Sequence, residues 1–198
     1  MKHIVMSLYS KINRLILLIL KRNTTIGEKP IIDIKTKIRC KKGKISIGNN
    51  VSLRSRKKGY HAGMPFSTTL FVDRENAKIE IGDNCRINGA YIHAQKQITI
   101  GDNCVIAAGV NIIDSNGHVL HSNNRTVGRD EPKEIFIGNN VWIGLNCIIL
   151  KGTKIGNNSV VAAGSIVKGD FPENSLIQGN PAVLVKTLDI QNKNSEYK

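Results

Sequence analysis

Aliphatic residues recur at every sixth position through the C-terminal half of the chain, at Ile137, Ile143, Ile149, Ile155, Val161 and Val167. Four places after each stands a small or medium residue, Val141, Cys147, Thr153, Ser159 and Ser165, and then Phe171 where the pattern fades. The same frame holds upstream as Ile81 with Cys85, Ile87 with Tyr91, Ile100 with Cys104 and Ile106 with Val110, ending at Ile112, and a weaker copy begins at Ile47. One motif returns between these positions: IGNN at 47–50, IGDN at 81–84 and 100–103, and IGNN at 137–140 and 155–158. Gly, Asn and Asp tolerate the left-handed backbone of a tight corner. A period of six with such corners fits no α-helix and is too regular for ordinary hairpins. It predicts short parallel strands wound into a solenoid whose aliphatic side chains stack along the axis.

With these residues in this register, the sequence resembles the left-handed parallel β-helix of the hexapeptide-repeat acyltransferases, in which three hexapeptides make one triangular coil. The resemblance covers roughly residues 30–187 and implies an all-β fold. The expected organisation is a basic amphipathic N-terminal helix over 1–22, a β-helix acyltransferase domain over 23–187 with a loop at 113–134, and a polar tail over 188–198. Cys85, Cys104 and Cys147 fall at the inward small positions, where a thiol behaves as a small buried hydrophobe.

The regular part of a solenoid carries no chemistry, so its interruptions come first. The largest, IDSNGHVLHSNNRTVGRDEPKE at 113–134, is polar and holds His118 and His121. Acyl transfer from a thioester to a hydroxyl requires removal of the hydroxyl proton as its oxygen attacks, and an imidazole suits that near neutral pH. It also requires donors facing the oxyanion, which backbone N–H groups on a rigid coil supply.

The loop and the segments after it look like the galactoside, maltose and xenobiotic acetyltransferase branch: a Gly-His in a loop, IGNNVWIG at 137–144, VVAAGSIV at 160–167 and QGNPAVLVK at 178–186. The resemblance implies that His118 is the general base, while His121 has no family role. It also implies a coenzyme site. Trp142 walls the active site, Leu145 offers its backbone N–H to the coenzyme or thioester, and Ala163 leaves room for the pantetheine arm. Lys168 flanks the outer end of coenzyme A, and Lys186 meets its phosphates. Val183 departs from the pattern, since many relatives carry Lys or Arg there. Asp114 or Asn116 is the candidate to orient His118, and Asn88 on the preceding coil is a candidate contact for the acceptor. The resemblance further implies acetyl-CoA as co-substrate with no metal, and a homotrimer with active sites between subunits.

Composition sharpens this picture. The chain of 198 residues has a formal net charge of +14, with 40% hydrophobic residues, which excludes a disordered tail as the main reading. Residues 1–72 hold 16 basic and 2 acidic residues, whereas residues 73–198 hold 13 of each. A basic third on a neutral body predicts a docking face for something anionic. Val5, Leu8, Ile12, Leu15, Ile16 and Ile19 recur at helical spacing among Lys2, Lys11, Arg14, Lys21 and Arg22, and the apolar run is too short to span a bilayer. Peripheral membrane contact through 1–22 and packing on another subunit both remain open. None of the four cysteines forms a C-x-x-C pair, a cytosolic pattern more than a disulfide framework.

The expected function is O-acetylation of a sugar hydroxyl on a surface polysaccharide, capsular or lipopolysaccharide, or on its lipid-linked precursor, in the cytoplasm or at the inner face of the membrane. The first alternative is an antibiotic or free-sugar acetyltransferase of the same branch. A γ-type carbonic anhydrase needs three zinc-binding histidines; His93, His118 and His121 exist, but the H-V-L-H spacing is short for that pair. Nucleic-acid binding is suggested only by the charge, because Tyr9, Tyr60, Phe66 and Phe71 are dispersed rather than interleaved with the Lys/Arg runs.

Overall fold

A computed structural model describes residues 23–57 and 60–190. The helix expected over 1–22 lies outside the described residues, as does most of the tail. Among the described residues there are strands and turns but no α-helix, and no helix long and apolar enough to cross a membrane.

The strands are short and stack into three sheets of seven, eight and six. Successive strands along the chain go to the first, second and third sheet in turn, so each circuit makes one triangular coil. The clearest circuit runs Ile135–Ile137, Trp142–Ile143, Ile148–Leu150 and returns to the first face at Lys154–Ile155. Pairing is parallel throughout, except that Ser175–Gly179 turns back antiparallel onto Ala182–Thr187 to close the second face. This is the left-handed parallel β-helix that the repeat predicts.

The six-residue period has a direct geometric meaning. Ile81, Ile100, Ile137 and Ile155 pair in register on the first face; Ile87, Ile106, Ile143 and Val161 do so on the second; Ile92, Ile112, Ile149 and Val167 on the third. All of them are buried and belong to one continuous core. Each fully buried aliphatic side chain contributes about 1.5–3 kcal/mol. Because every rung stacks on its neighbours, the core is a column that resists sideways displacement.

The small fourth positions sit at the corners, where strand ladders stop and carbonyls need donors. Thr153 Oγ1 donates to the Leu150 carbonyl at 2.6 Å and Ser165 Oγ to the Ala162 carbonyl at 2.7 Å. The Sγ atoms of Cys85, Cys104 and Cys147 lie 3.0–3.1 Å from the carbonyl oxygens of Gly101, Gly138 and Ala162. Burial pushes the Cys147 thiol pKa up.

In the IG(D/N)N corners the left-handed backbone expected of Gly, Asn or Asp falls on one residue only. The left-handed residue is the last Asn, at φ between 54° and 58° in Asn50, Asn84, Asn103, Asn140 and Asn158. The glycine is required by close stacking instead: a Cβ on Gly101 would meet the Asn139 carboxamide oxygen and stand 2.8 Å from the Gly138 carbonyl carbon. The third residue supplies a cap to the next coil. Asp102 Oδ1 accepts from the Asp83 N–H at 2.7 Å, Asn139 Oδ1 from Asp102 at 2.8 Å, and Asn157 Oδ1 from Asn139 at 2.8 Å. A ladder of side-chain caps thus runs down this corner.

Candidate functional site

Two segments leave the coil. Residues 114–134 emerge at the corner between the third and first faces, and residues 55–68 at the corner between the second and third.

The longer loop is strapped down by carboxylates. Asp114 follows the strand Asn111–Ile113 directly, is fully buried, and accepts the Gln95 and Lys96 N–H groups at 2.7 Å each. Burial raises its pKa, and the backbone N–H groups only partly oppose that. Asp130, at the far end of the loop, accepts the Asn116 N–H at 2.8 Å and the Gly117 N–H at 3.1 Å and is ion-paired with Lys151. Burial pushes its pKa up, but Lys151 and these N–H groups together outweigh burial and hold the carboxyl below the usual Asp value. Arg129 reaches Asp73 at 3.4 Å, and Asp73 also bonds His93 Nε2 at 3.0 Å. His93 in turn stacks on Phe71 with ring centroids 4.6 Å apart.

His118 therefore follows a backbone segment that Asp130 pins. Gly117 stands at φ +78° with open space around it, a conformation that L side chains rarely adopt. The His118 side chain is exposed, with no hydrogen bond to the described residues. Neither candidate orienting residue is hydrogen-bonded to it: the Asp114 carboxylate accepts from Gln95 and Lys96, and the backbone N–H of Asn116 is bound by Asp130. Asp130, which sequence reasoning passed over, holds the loop instead; no spacing rule links it to residues 116 and 117.

The shorter insertion roofs a groove on the second face. Met64 is buried against Gly89, Thr68 Oγ1 donates to the Arg54 carbonyl at 2.6 Å, and the Ala108 N–H donates to the Tyr60 hydroxyl at 3.4 Å. Beneath it lies a groove of about 550 Å³ whose walls include Arg54, Tyr60, Arg86, Asn88, Trp142 and Leu145. Asn88 is buried; its Nδ2 donates to the Ile106 carbonyl at 3.3 Å, and its Oδ1 has no hydrogen-bond partner. Trp142 is 55% exposed, so its ring is a wall rather than core. The insertion was legible as a lapse of the period: Leu53 keeps the frame begun at Ile47, and the next position, 59, is Gly.

Leu145 and Ala163 occupy equivalent places one coil apart on the corner between the second and third faces, since the preceding residues Gly144 and Ala162 donate to Val161 and Ile177 in the same way. The N–H groups of Leu145 and Ala163 make no backbone hydrogen bond. Lys168 sits at a different corner, between the third and first faces, and Lys186 is opposite Leu176 in the closing antiparallel pair. Both are exposed. Val183 is exposed at the start of the same pair. The chain thus brings Trp142, Leu145 and Asn88 together, places Ala163 on the next coil, and leaves His118 and Lys168 at another corner. Among the described residues no three His, Cys, Asp or Glu side chains gather as a metal-binding set.

The profile of the hexapeptide repeat of succinyl-transferase matches residues 78–113 and 134–168, the two stretches that flank the His118 loop. Galactoside O-acetyltransferase of Escherichia coli (strain K12) is 38% identical over 123 residues, covering 62% of this chain and 60% of the relative. Over these stretches the chain carries the hexapeptide repeat and is similar to acetyltransferases built on it. A relative named for lipopolysaccharide biosynthesis, WbbJ of Escherichia coli (strain K12), is 37% identical over 125 residues, covering 58% of this chain and 63% of its own. A solved galactoside acetyltransferase in complex with coenzyme A superposes with a TM-score of 0.58 at 27% identity, covering 91% of this chain and 74% of that one. This hexapeptide-repeat protein spans about three fifths of the length of the curated relatives it matches.

Proposed function

We propose that the protein moves an acetyl group from acetyl-CoA to a sugar hydroxyl of a surface polysaccharide or its lipid-linked precursor, with His118 as general base. The observation that carries this reading is the pair of open backbone N–H donors at Leu145 and Ala163, beside a groove walled by Trp142 and Asn88. Stacked coils are about 4.8 Å apart, so the two donors form a short ladder along one corner. Such a ladder fits the amides of a pantetheine arm, and the small Ala163 leaves room beside it. When bound there, acetyl-CoA supplies the activated acyl carbon. Leu145 holds the thioester end, Lys186 and the Lys168 of a neighbouring protomer meet the phosphates, and Asn88 meets the acceptor.

His118 takes the proton of the acceptor hydroxyl as its oxygen bonds to the acyl carbon, and returns that proton to the sulfur as the carbon–sulfur bond breaks. Protons and electrons balance: an ester and a free thiol replace an alcohol and a thioester.

Within one chain the base and the groove lie at different corners, so the reading requires a neighbour. The outer surface of the third face joins those two corners and carries half-buried Ile113, Leu150, Ile148 and Ile166 in register. A homotrimer closing on that face sets the His118 loop of one protomer against the groove of the next. The acetyl donor places the reaction in the cytoplasm, and residues 1–22 bring it to the inner face of the membrane. Support for the glycan acceptor comes from the relatives' names, galactoside O-acetyltransferase and the lipopolysaccharide biosynthesis protein WbbJ.

The test is acetyl-CoA offered with a panel of free and lipid-linked oligosaccharides, with product identified by mass. An added 42-Da acetyl mark on a hydroxyl, roughly what ester formation requires, is the expected result. Failure of coenzyme A to bind would sink the reading.

A further inference from the structure

The polar lining of the groove has one sign of charge. Arg54 and Arg86 both face it, and no Asp or Glu lines it. Arg54 follows Ser52, which pairs with Arg86 on the next coil, and Arg54 itself pairs with Asn88. The two guanidiniums therefore come from adjacent coils on the same outward-facing side as Asn88. Five cations elsewhere have acidic partners: Arg56 with Asp33, Arg129 with Asp73, Lys151 with Asp130, Lys42 with Glu75 and Lys96 with Glu134. Arg54 donates only to Ser52 Oγ at 3.2 Å, and neither Arg54 nor Arg86 has an acidic partner among the described residues.

We infer that the acceptor is an acidic glycan, whose sugar carboxylate is held by Arg86 and Arg54 while one of its hydroxyls meets Asn88. The inference rests on the acetyl-transfer reading above and narrows it to a substrate class. Guanidinium presents a planar fork that matches a carboxylate with two parallel hydrogen bonds, which a lysine ammonium does not. The placement separates this role from that of the coenzyme's phosphates. Arg86 lies two coils and Arg54 three coils from Trp142, roughly 10 and 14 Å at the usual strand spacing, toward the N-terminal end. Ala163 and Lys186 lie in the opposite direction. On the far side of the 55–68 insertion a second groove of about 450 Å³ is lined by Lys35, Arg56, Lys57 and Phe66 among others. Lys35 and Lys57 have no ion-pair partner there, so a further acidic unit of the same chain finds positive charge beyond the first. A polymer with repeating carboxylates fits both grooves.

The experiment compares three acceptors with the full-length protein and acetyl-CoA: an oligosaccharide bearing uronate or sialate units, its twin with each carboxyl reduced to an alcohol, and a neutral oligosaccharide carrying a pyrophosphate. The acidic form is expected to exceed its reduced twin by about 10–100-fold in kcat/KM, the worth of a charge-assisted hydrogen-bonded pair. Arg86→Gln and Arg54→Gln are expected to erase that preference through KM for the acceptor, leaving KM for acetyl-CoA unchanged. Arg86→Lys should restore only part of it. Equal rates for the twins would overturn the inference, as would preference for the neutral pyrophosphate, or a raised KM for acetyl-CoA in Arg86→Gln. If no acceptor is acetylated, the transfer reading fails, and titration calorimetry of the acidic oligosaccharide and its reduced twin decides the inference independently. Binding of the acidic form that Arg86→Gln abolishes supports it, and equal or absent binding of the two overturns it.

Discussion

The two corners that interrupt the regular coil differ in how their polar groups are satisfied. At the corner between the third and first faces, Asp73, Asp114 and Asp130 all have partners inside the chain, and what they hold is the backbone leading to His118. At the corner between the second and third faces, the N–H groups of Leu145 and Ala163 have no backbone acceptor, Asn88 Oδ1 has none, and Arg54 and Arg86 face a groove without an acid. Buried polar groups are normally paired, so the unpartnered Oδ1 of buried Asn88 points to a ligand at this corner, beside donors that are open to solvent. In the proposed reaction one corner holds the base and the other receives what it acts on.

The contrast can be broken at its strongest point first. His118→Ala should lower turnover by about 10²–10⁴-fold while coenzyme A still binds; near wild-type turnover would remove His118 as the base. Asp130→Ala comes next. Freed of the Asn116 and Gly117 anchors, the loop should misplace His118, and turnover should fall by roughly 10–100-fold with KM for acetyl-CoA unchanged. Limited proteolysis should cut within 119–129 faster, and Asp130→Glu should recover part of the loss. A purely structural role would instead appear as a lower unfolding midpoint with unaltered turnover per folded molecule.

Gly101→Ala acts on the scaffold rather than on either corner. The added methyl stands against Asn139 and the Gly138 backbone, which overpacks the stacked turn, and it should cost about 1–3 kcal/mol in urea unfolding. An unchanged midpoint would mean that the coils can separate locally at no cost.

The smallest effect is on pH. Asp73 and Asp130 are depressed in the fold, each because its partners outweigh burial. Their stabilising contribution is therefore present above the ordinary Asp pKa of about 3.9 and is lost only as pH falls through their lower folded values. Asp114 has the opposite sign, since burial raises it and protonation on acidification favours the folded form. Amide protection in the loop, relative to intrinsic exchange at each pH, should thus stay flat from neutrality down to the ordinary Asp range and fall only below it. Release of the loop well above that range would show that Asp73 and Asp130 are not its anchors.

Much of the scaffold was legible because a stacked coil repeats the same local problem. Ile137, Ile143 and Ile149 each point inward from a different face, so a period of six in the sequence is a circuit of three strands in space. The Gly of each corner was legible as a requirement but not for its reason: the constraint comes from the neighbouring coil's Asn or Asp, which lies far away in sequence. His118 stood out because it breaks a regular pattern, and Leu145 and Ala163 were reached through resemblance. The insertion at 55–68 showed as a lapse of the period, but the roles of Asp130, Arg54, Arg86 and Tyr60 were not legible, because their partners are brought close only by winding the chain.

By itself the sequence determined the coil, its inward aliphatic column and its basic N-terminal third, since each follows from local periodicity or composition. Only the tertiary structure decided which corner each segment occupies. It set Arg54, one of the cations of the first 72 residues, along one groove with Arg86 and Trp142, because strands distant in sequence share one face when coils about 4.8 Å apart stack. The charge surplus was a property of the sequence; which of its cations face a groove without an acid is a property of the fold.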